Sequence, residues 1–163
     1  MPRLSTPGCS NCVACPTLGD YARSVIRQHP YILDDQVGYL LRRAQQRHLS
    51  LFSAAIPQIT TTQWAVLARL HEMGPLSQNH LGRETAMDAA TIKGVVDRLI
   101  RLNLVATAPD PDDRRRLTVS LTDPGRALYD ATWQTALSVS DTTLAPLSPT
   151  ERETLMALLL RLT

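Results

Sequence analysis

Apolar positions change their period along this chain, and each change marks an element. From Asp34 onward, Val37, Leu40, Leu41, Ala44, Leu51 and Phe52 recur at spacings of three, four and seven, the stripe of an amphipathic helix. Asp34 and Asp35 suit the positive start of that helix, and Pro57 stops it. A second helix is predicted from Thr60-x-x-Gln63, where side chains and backbone satisfy each other's free groups. It carries Trp64, Leu67 and Leu70 and ends at Gly74-Pro75, a C-terminal glycine followed by proline. Ser77 caps a short third helix reaching about Thr85, and Asp88 caps a fourth over residues 89–102. Then the period shortens. Leu117-Thr118-Val119-Ser120-Leu121 alternates apolar and polar, as a half-buried strand does, and residues 105–108 are its expected antiparallel partner. Thr122-Asp123-Pro124 opens a fifth helix to about Leu144, with proline where a missing N–H does no harm. Ser148-Pro149-Thr150-Glu151 opens the last, which carries Leu155, Met156, Leu158, Leu159, Leu160 and Leu162.

That last helix is apolar around most of its circumference, so it requires burial on more than one side. The first, fifth and sixth helices flank the middle of the chain, and the simplest burial for them is against each other and against a second copy. The expected fold is therefore mainly α with a small β-hairpin wing: a winged helix-turn-helix, dimerised through its N- and C-terminal helices. Residues 1–33, interrupted by Pro2, Pro7, Pro16 and Pro30, form an N-terminal extension. Residues 34–56 and 123–163 supply the dimerisation helices, and residues 57–122 the DNA-binding lobe.

The fourth helix, projected at about 100° per residue, separates into two faces. Ile92, Val95, Val96, Leu99 and Leu102 fall on one side; Ala90, Thr91, Lys93, Gly94, Asp97, Arg98 and Arg101 fall on the other. Small residues at the start and basic ones further along suit entry into a major groove. An ordinary amphipathic surface helix shows the same two faces. The hairpin tip adds a second observation: Arg114, Arg115 and Arg116 stand together on an exposed turn after Asp112 and Asp113. Adjacent arginines repel one another, whereas a narrow minor groove attracts them.

Composition changes this picture little. The net charge is +2 over 163 residues, which neither demands nor forbids a nucleic-acid partner. Of 17 basic residues only Lys93 is lysine; arginine matches phosphates and base edges better, although skewed base composition produces the same bias. No apolar run reaches the roughly 18–20 residues of a membrane helix, and Met1-Pro2-Arg3-Leu4-Ser5 lacks a secretory stretch, so a cytoplasmic location is expected. No nucleophile–base pair, phosphate-cradling glycine loop or pair of acids in a plausible cleft suggests an enzyme.

The stretch Thr61-Thr62-Gln63-Trp64-Ala65-Val66-Leu67, Gly74-Pro75-Leu76-Ser77-Gln78, Met87-Asp88-Ala89-Ala90-Thr91, Val96-Asp97-Arg98-Leu99, Asp110-Pro111-Asp112-Asp113-Arg114-Arg115 and Leu121-Thr122-Asp123-Pro124-Gly125 resembles the MarR (multiple antibiotic resistance regulator) family. The resemblance covers residues 34–163 and is densest over 59–126. It implies a homodimeric regulator, usually a repressor, that binds a palindromic operator and is released by small aromatic molecules or oxidants. It also implies DNA contacts from Ser77, Gln78, Ala90, Thr91, Lys93 and Arg98, with Asp113, Arg114, Arg115 and Arg116 in the wing and Arg115 in the minor groove. Thr107 departs from the family, which often has a basic residue there. The start of the first helix, from His29-Pro30-Tyr31 to Arg47-His48, is similar to regulators of nicotinate or hydroxylated aromatic acid breakdown.

An effector site is expected where aromatic and basic residues gather. Tyr39 and Trp64 offer rings, and Arg42, Arg43 and His48 offer polar anchors; His71 lies on the second helix, and Tyr129 and Trp133 on the fifth. Such a set fits a small aromatic acid, with Arg43 pairing its carboxylate. Core packing and solvated arginines account for the same residues. Cys9-x-x-Cys12-x-x-Cys15 offers three thiolates where metal sites usually need four ligands; His29 or a second chain is a possible fourth. No cofactor is expected. The alternative is a thiol- or metal-responsive regulator or carrier built on these cysteines.

Overall fold

The computed structural model describes residues 31–109 and 117–163. The cysteine cluster of the N-terminal extension lies outside them. The boundary between two units falls after Leu41, and each unit is taken separately.

In the first unit, Leu33–Asp35 form a single 3-10 turn, and Gln36 is extended before helix α1, Val37–Ala55, begins. The helix thus opens two residues beyond the acidic pair expected to head it, because Gln36 interrupts the helical dihedrals. Gln36 donates from its side chain to the Ile32 carbonyl at 2.9 Å, tying the turn to the helix start. Val37, Leu40 and Leu41 are exposed and Tyr39 is half-buried.

The second unit, from Arg42 on, holds the rest of α1 and helices α2 (Thr61–Met73), α3 (Gln78–Glu84), α4 (Ala89–Arg101), α5 (Asp123–Thr143) and α6 (Pro149–Leu160). Strands β1 (Leu76–Ser77), β2 (Val105–Pro109) and β3 (Leu117–Leu121) form one antiparallel sheet in the order β1-β3-β2. A two-stranded ribbon was expected. The third strand arises because Leu76 and Ser77 pair with Val119 and Thr118, on the edge of β3 opposite Val105–Pro109.

Helix starts follow the caps. Thr60 Oγ1 accepts from the Gln63 N–H while Gln63 Oε1 accepts from the Thr60 N–H at 2.8 Å, so the buried Gln63 side chain is satisfied. At the other end Gly74 takes φ +80° and donates to Leu70. Two helices end in the same reciprocal way. Met87 and Ala86 donate to the carbonyls of Gly82 and Arg83; Leu104 and Asn103 donate to those of Leu99 and Ile100. These are Schellman motifs, and they place Ala86 at φ 51° and Asn103 at φ 56°.

The core lies among α2, α3, α4 and the sheet. Val66, Leu67, Leu81 and Leu99 are completely buried, and Ile92, Val95, Val96 and Val119 nearly so. Leu102, projected onto the apolar side of α4, is instead half exposed; it is the C-cap, and the left-handed turn at Asn103 follows it directly. The fifth helix leaves the lobe through a tight junction. Thr122 caps it, accepting from the Gly125 N–H at 3.1 Å and donating to Asn103 at 2.7 Å. A Cβ on Gly125 would overlap the Leu104 carbonyl, so only glycine fits there.

Candidate nucleic-acid interface

Helices α3 and α4 meet at a close turn. A Cβ on Gly82 would stand 3.1 Å from the Met87 carbonyl and 3.3 Å from the Ile92 side chain, so glycine allows the two helices to approach. Ile92, Val95, Val96 and Leu99 of α4 point into the core. Ala90, Thr91, Lys93, Arg98 and Arg101 are exposed on the opposite side. Lys93, Arg98 and Arg101 form no ion pair with any described residue, which leaves their charges for an external partner.

Asp88 organises the start of α4. Its Oδ1 accepts from the N–H groups of Ala90 at 2.9 Å and Thr91 at 2.8 Å, and its Oδ2 accepts the Thr91 hydroxyl at 2.7 Å. These bonds, led by that from the Thr91 N–H, hold the Asp88 carboxyl below its ordinary range. Two chemical consequences follow. The amides that an anion would seek at this helix start are already used, and the Thr91 hydroxyl proton is spent. Thr91 therefore presents an acceptor oxygen and a methyl group, which suit an exocyclic amine or a thymine methyl.

Gly94 sits in the middle of the exposed face. A Cβ there would meet only the Arg98 guanidinium, at 3.7 Å. Nothing among the described residues requires glycine, although it costs about 1 kcal/mol relative to alanine inside a helix. Ser77 is the α3 cap, accepting from the His80 N–H at 3.4 Å, and Gln78 is half-buried at the first helical position. Thr107 lies exposed in β2 opposite Val119. Asp113, Arg114, Arg115 and Arg116 lie outside the described residues.

The expected effector residues divide. Arg42 and Arg43 are exposed on α1 and His48 is half-buried there. His48 Nδ1 lies 3.0 Å from Thr143 Oγ1, and Arg47 donates to the carbonyls of Thr142 and Thr143 at 3.2 and 3.4 Å. Trp64 goes elsewhere. It stacks on Tyr129 at 5.0 Å between centroids, and the other face of Tyr129 stacks on His71 at 4.0 Å. His71 and Trp64 are two turns apart on α2, so the Tyr129 ring of α5 is held between them. Beside this stack opens a cavity of about 220 Å³ lined by Trp64, Tyr129, Trp133, Ala136, Leu137 and Ser140. No basic side chain lines it. Tyr39 belongs to the first unit. Arg47 and the sandwich at Tyr129 were not foreseen; the seven-residue spacing of Trp64 and His71 was the available signal. Among the described residues no group of three or more His, Cys, Asp or Glu is placed to hold a metal ion; Cys9, Cys12 and Cys15 lie outside them. No helix among the described residues is long and apolar enough to cross a membrane.

Three helices followed by a two-stranded ribbon, with a short strand after the first of them, define a winged helix-turn-helix. The pattern of the MarR family matches residues 58–116. The chain is 44% identical over 132 residues to the HTH-type transcriptional repressor NicR of Pseudomonas putida, spanning 80% of this chain and 84% of that one. A crystal structure of a probable transcriptional regulator from Pseudomonas aeruginosa is 54% identical, superposes with a TM-score of 0.79, and covers 81% of this chain and 100% of its own. The structure of BpsR from Bordetella bronchiseptica, whose DNA binding 6-hydroxynicotinic acid regulates, is 40% identical with a TM-score of 0.78, over 82% and 97% of the two chains. This chain belongs to the MarR family of transcriptional regulators.

Proposed function

We propose that this protein is a DNA-binding repressor that acts as a homodimer on a palindromic operator and leaves it when a small aromatic acid binds. The observation that carries the reading is the exposed face of α4: three cations that pair with no acid among the described residues, beside a glycine that none of those residues requires. Ala90, Thr91 and Gly94 allow the helix to sit deep in the major groove, while Lys93 and Arg98 reach bases or phosphates. Ser77 and Gln78 stand at the start of the preceding helix. The family resemblance assigns Asp113 and Arg115 to the wing, Arg115 to the minor groove, and Arg114 and Arg116 to phosphates.

Dimerisation through α1, α5 and α6 would place two α4 helices about one helical turn of DNA apart. Support comes from α6, which buries no residue and leaves Met156, Leu158 and Leu160 exposed, as is Leu162 just beyond it. An acid anchored by Arg43 and Arg42, with His48 contributing a polar contact, would favour a different spacing of the two lobes. Its differential binding energy, about 1–3 kcal/mol, then sets the loss of DNA affinity. The likeness to NicR and BpsR favours a hydroxylated pyridine carboxylate.

The test is fluorescence anisotropy on the gene's own promoter DNA across a salt series. Affinity should fall steeply with salt and fall again on adding 6-hydroxynicotinic acid. Binding that salt leaves unchanged, or no binding at all, would contradict the DNA reading; tight binding that no aromatic acid relieves would contradict the effector reading alone.

A further inference from the structure

The hydrogen bonds at the end of α5 settle which ring nitrogen of His48 carries a proton. Thr143 has one hydroxyl hydrogen, and it is donated to the Val139 carbonyl at 2.8 Å. At the 3.0 Å contact with His48 Nδ1 the Thr143 oxygen has only lone pairs to offer. The Nδ1 must therefore be the donor. In the neutral imidazole this leaves Nε2 as an acceptor, and Nε2 has no hydrogen-bond partner among the described residues.

The ring is held in place. Arg47, one residue earlier, donates to the carbonyls of Thr142 and Thr143, so α1 is pinned to the end of α5 by two adjacent side chains. Phe52, one turn further on, lies tilted at 6.4 Å from the His48 ring. A fixed, half-buried acceptor of this kind discriminates. It stabilises a ligand that brings an O–H or N–H and is left unpaired by one that does not.

Resting on the aromatic-acid reading above, we propose that His48 is the specificity-determining residue, its Nε2 accepting the ring hydroxyl or ring N–H of the effector. The effector class is then narrower than an aromatic acid. It carries a carboxylate for the arginines and, separately, a ring-borne hydrogen-bond donor; a pyridine carboxylate that lacks the donor is a poor ligand.

Isothermal titration of the full chain with 6-hydroxynicotinate and with nicotinate tests this, in wild type and in His48→Asn and His48→Gln. The asparagine amide can replace the Nδ1 donor to Thr143 but puts nothing at Nε2, whereas the glutamine amide reaches the Nε2 position. Wild type is expected to prefer the hydroxylated acid by roughly tenfold, the worth of about one net hydrogen bond. His48→Asn should lose that preference and His48→Gln should retain part of it, with melting temperatures confirming that both variants fold. Equal binding of the two acids by wild type, or a preference surviving in His48→Asn, overturns the role of His48 and leaves the aromatic-acid reading standing. Binding of neither acid overturns both. Independently, a long-range proton–nitrogen NMR spectrum should show the His48 proton on Nδ1; a proton on Nε2 alone would overturn the proposal without any ligand.

Discussion

Helices α4 and α6 are of nearly equal length, 13 and 12 residues, yet they meet opposite fates. The first buries Ile92, Val95, Val96 and Leu99 within its own chain and exposes its polar side. The second carries more leucine and buries nothing. The difference lies in periodicity rather than in hydrophobicity. A stripe of apolar residues needs one neighbour, which the chain supplies through α2, α3 and the sheet. An apolar circumference needs more neighbours than this chain supplies. Each leucine left wet forgoes roughly 1.5–3 kcal/mol, so the exposed face of α6 points to another copy.

The largest effect that can break this comparison is a cavity in the lobe. Leu99→Ala removes a completely buried side chain and should cost about 2–5 kcal/mol in urea denaturation. Leu158→Ala, on α6, should scarcely change the unfolding of dilute monomer, but should raise the protein concentration at which dimers appear in analytical ultracentrifugation. A comparable loss of monomer stability from both would mean that α6 is part of the lobe's own core.

The junction between the two regions comes next. Gly125→Ala drives a methyl into the Leu104 carbonyl and should cost about 1–3 kcal/mol through overpacking, read as a lowered melting temperature. An unchanged value would show that α5 can move away from the lobe freely. A smaller change of opposite sign is expected at Ala86, held at φ 51° by the turn between α3 and α4. Ala86→Gly relieves left-handed strain and should add about 1 kcal/mol. The same thermal melt checks it; destabilisation would contradict the Schellman turn.

The smallest effect is acid sensitivity at the start of α4. Asp88 has a folded-state pKa below its unfolded one because it accepts from Thr91 and Ala90. Its contribution is therefore present above the ordinary carboxylate range and is lost as pH falls through the lower, folded value. Asp88→Asn should flatten the acid limb of a stability–pH curve slightly; an unaltered limb would mean that the charge of the cap adds nothing beyond the hydrogen bonds an asparagine also accepts.

Local chemistry made much of this legible from the chain alone. Caps at Thr60, Ser77, Asp88, Thr122 and Ser148 involve residues two or three positions apart, and each helix begins where its cap predicts. What stayed hidden depends on distant partners or on silent conformations. Leu76 and Ser77 are too few to show a strand period, and only Val119 and Thr118 make them one. Ala86 carries no left-handed signal, whereas Asn103 does. Arg47 and His48 look like any polar helix face until Thr142 and Thr143 meet them. Trp64 was expected beside the basic anchors of α1, but Tyr129 takes its ring and the adjoining cavity is without a basic group.

The role of α4 rests most directly on Gly94, and one substitution separates folding from binding there. Gly94→Ala adds a methyl that meets only the Arg98 guanidinium at 3.7 Å, so the folded protein should gain about 1 kcal/mol of stability from helix propensity. If the exposed face enters the major groove, the same methyl should weaken operator binding, measured by anisotropy at fixed salt, about tenfold or more, a loss of about 1.4 kcal/mol. A variant that is more stable and binds the operator as tightly as wild type would contradict the insertion of this helix into DNA.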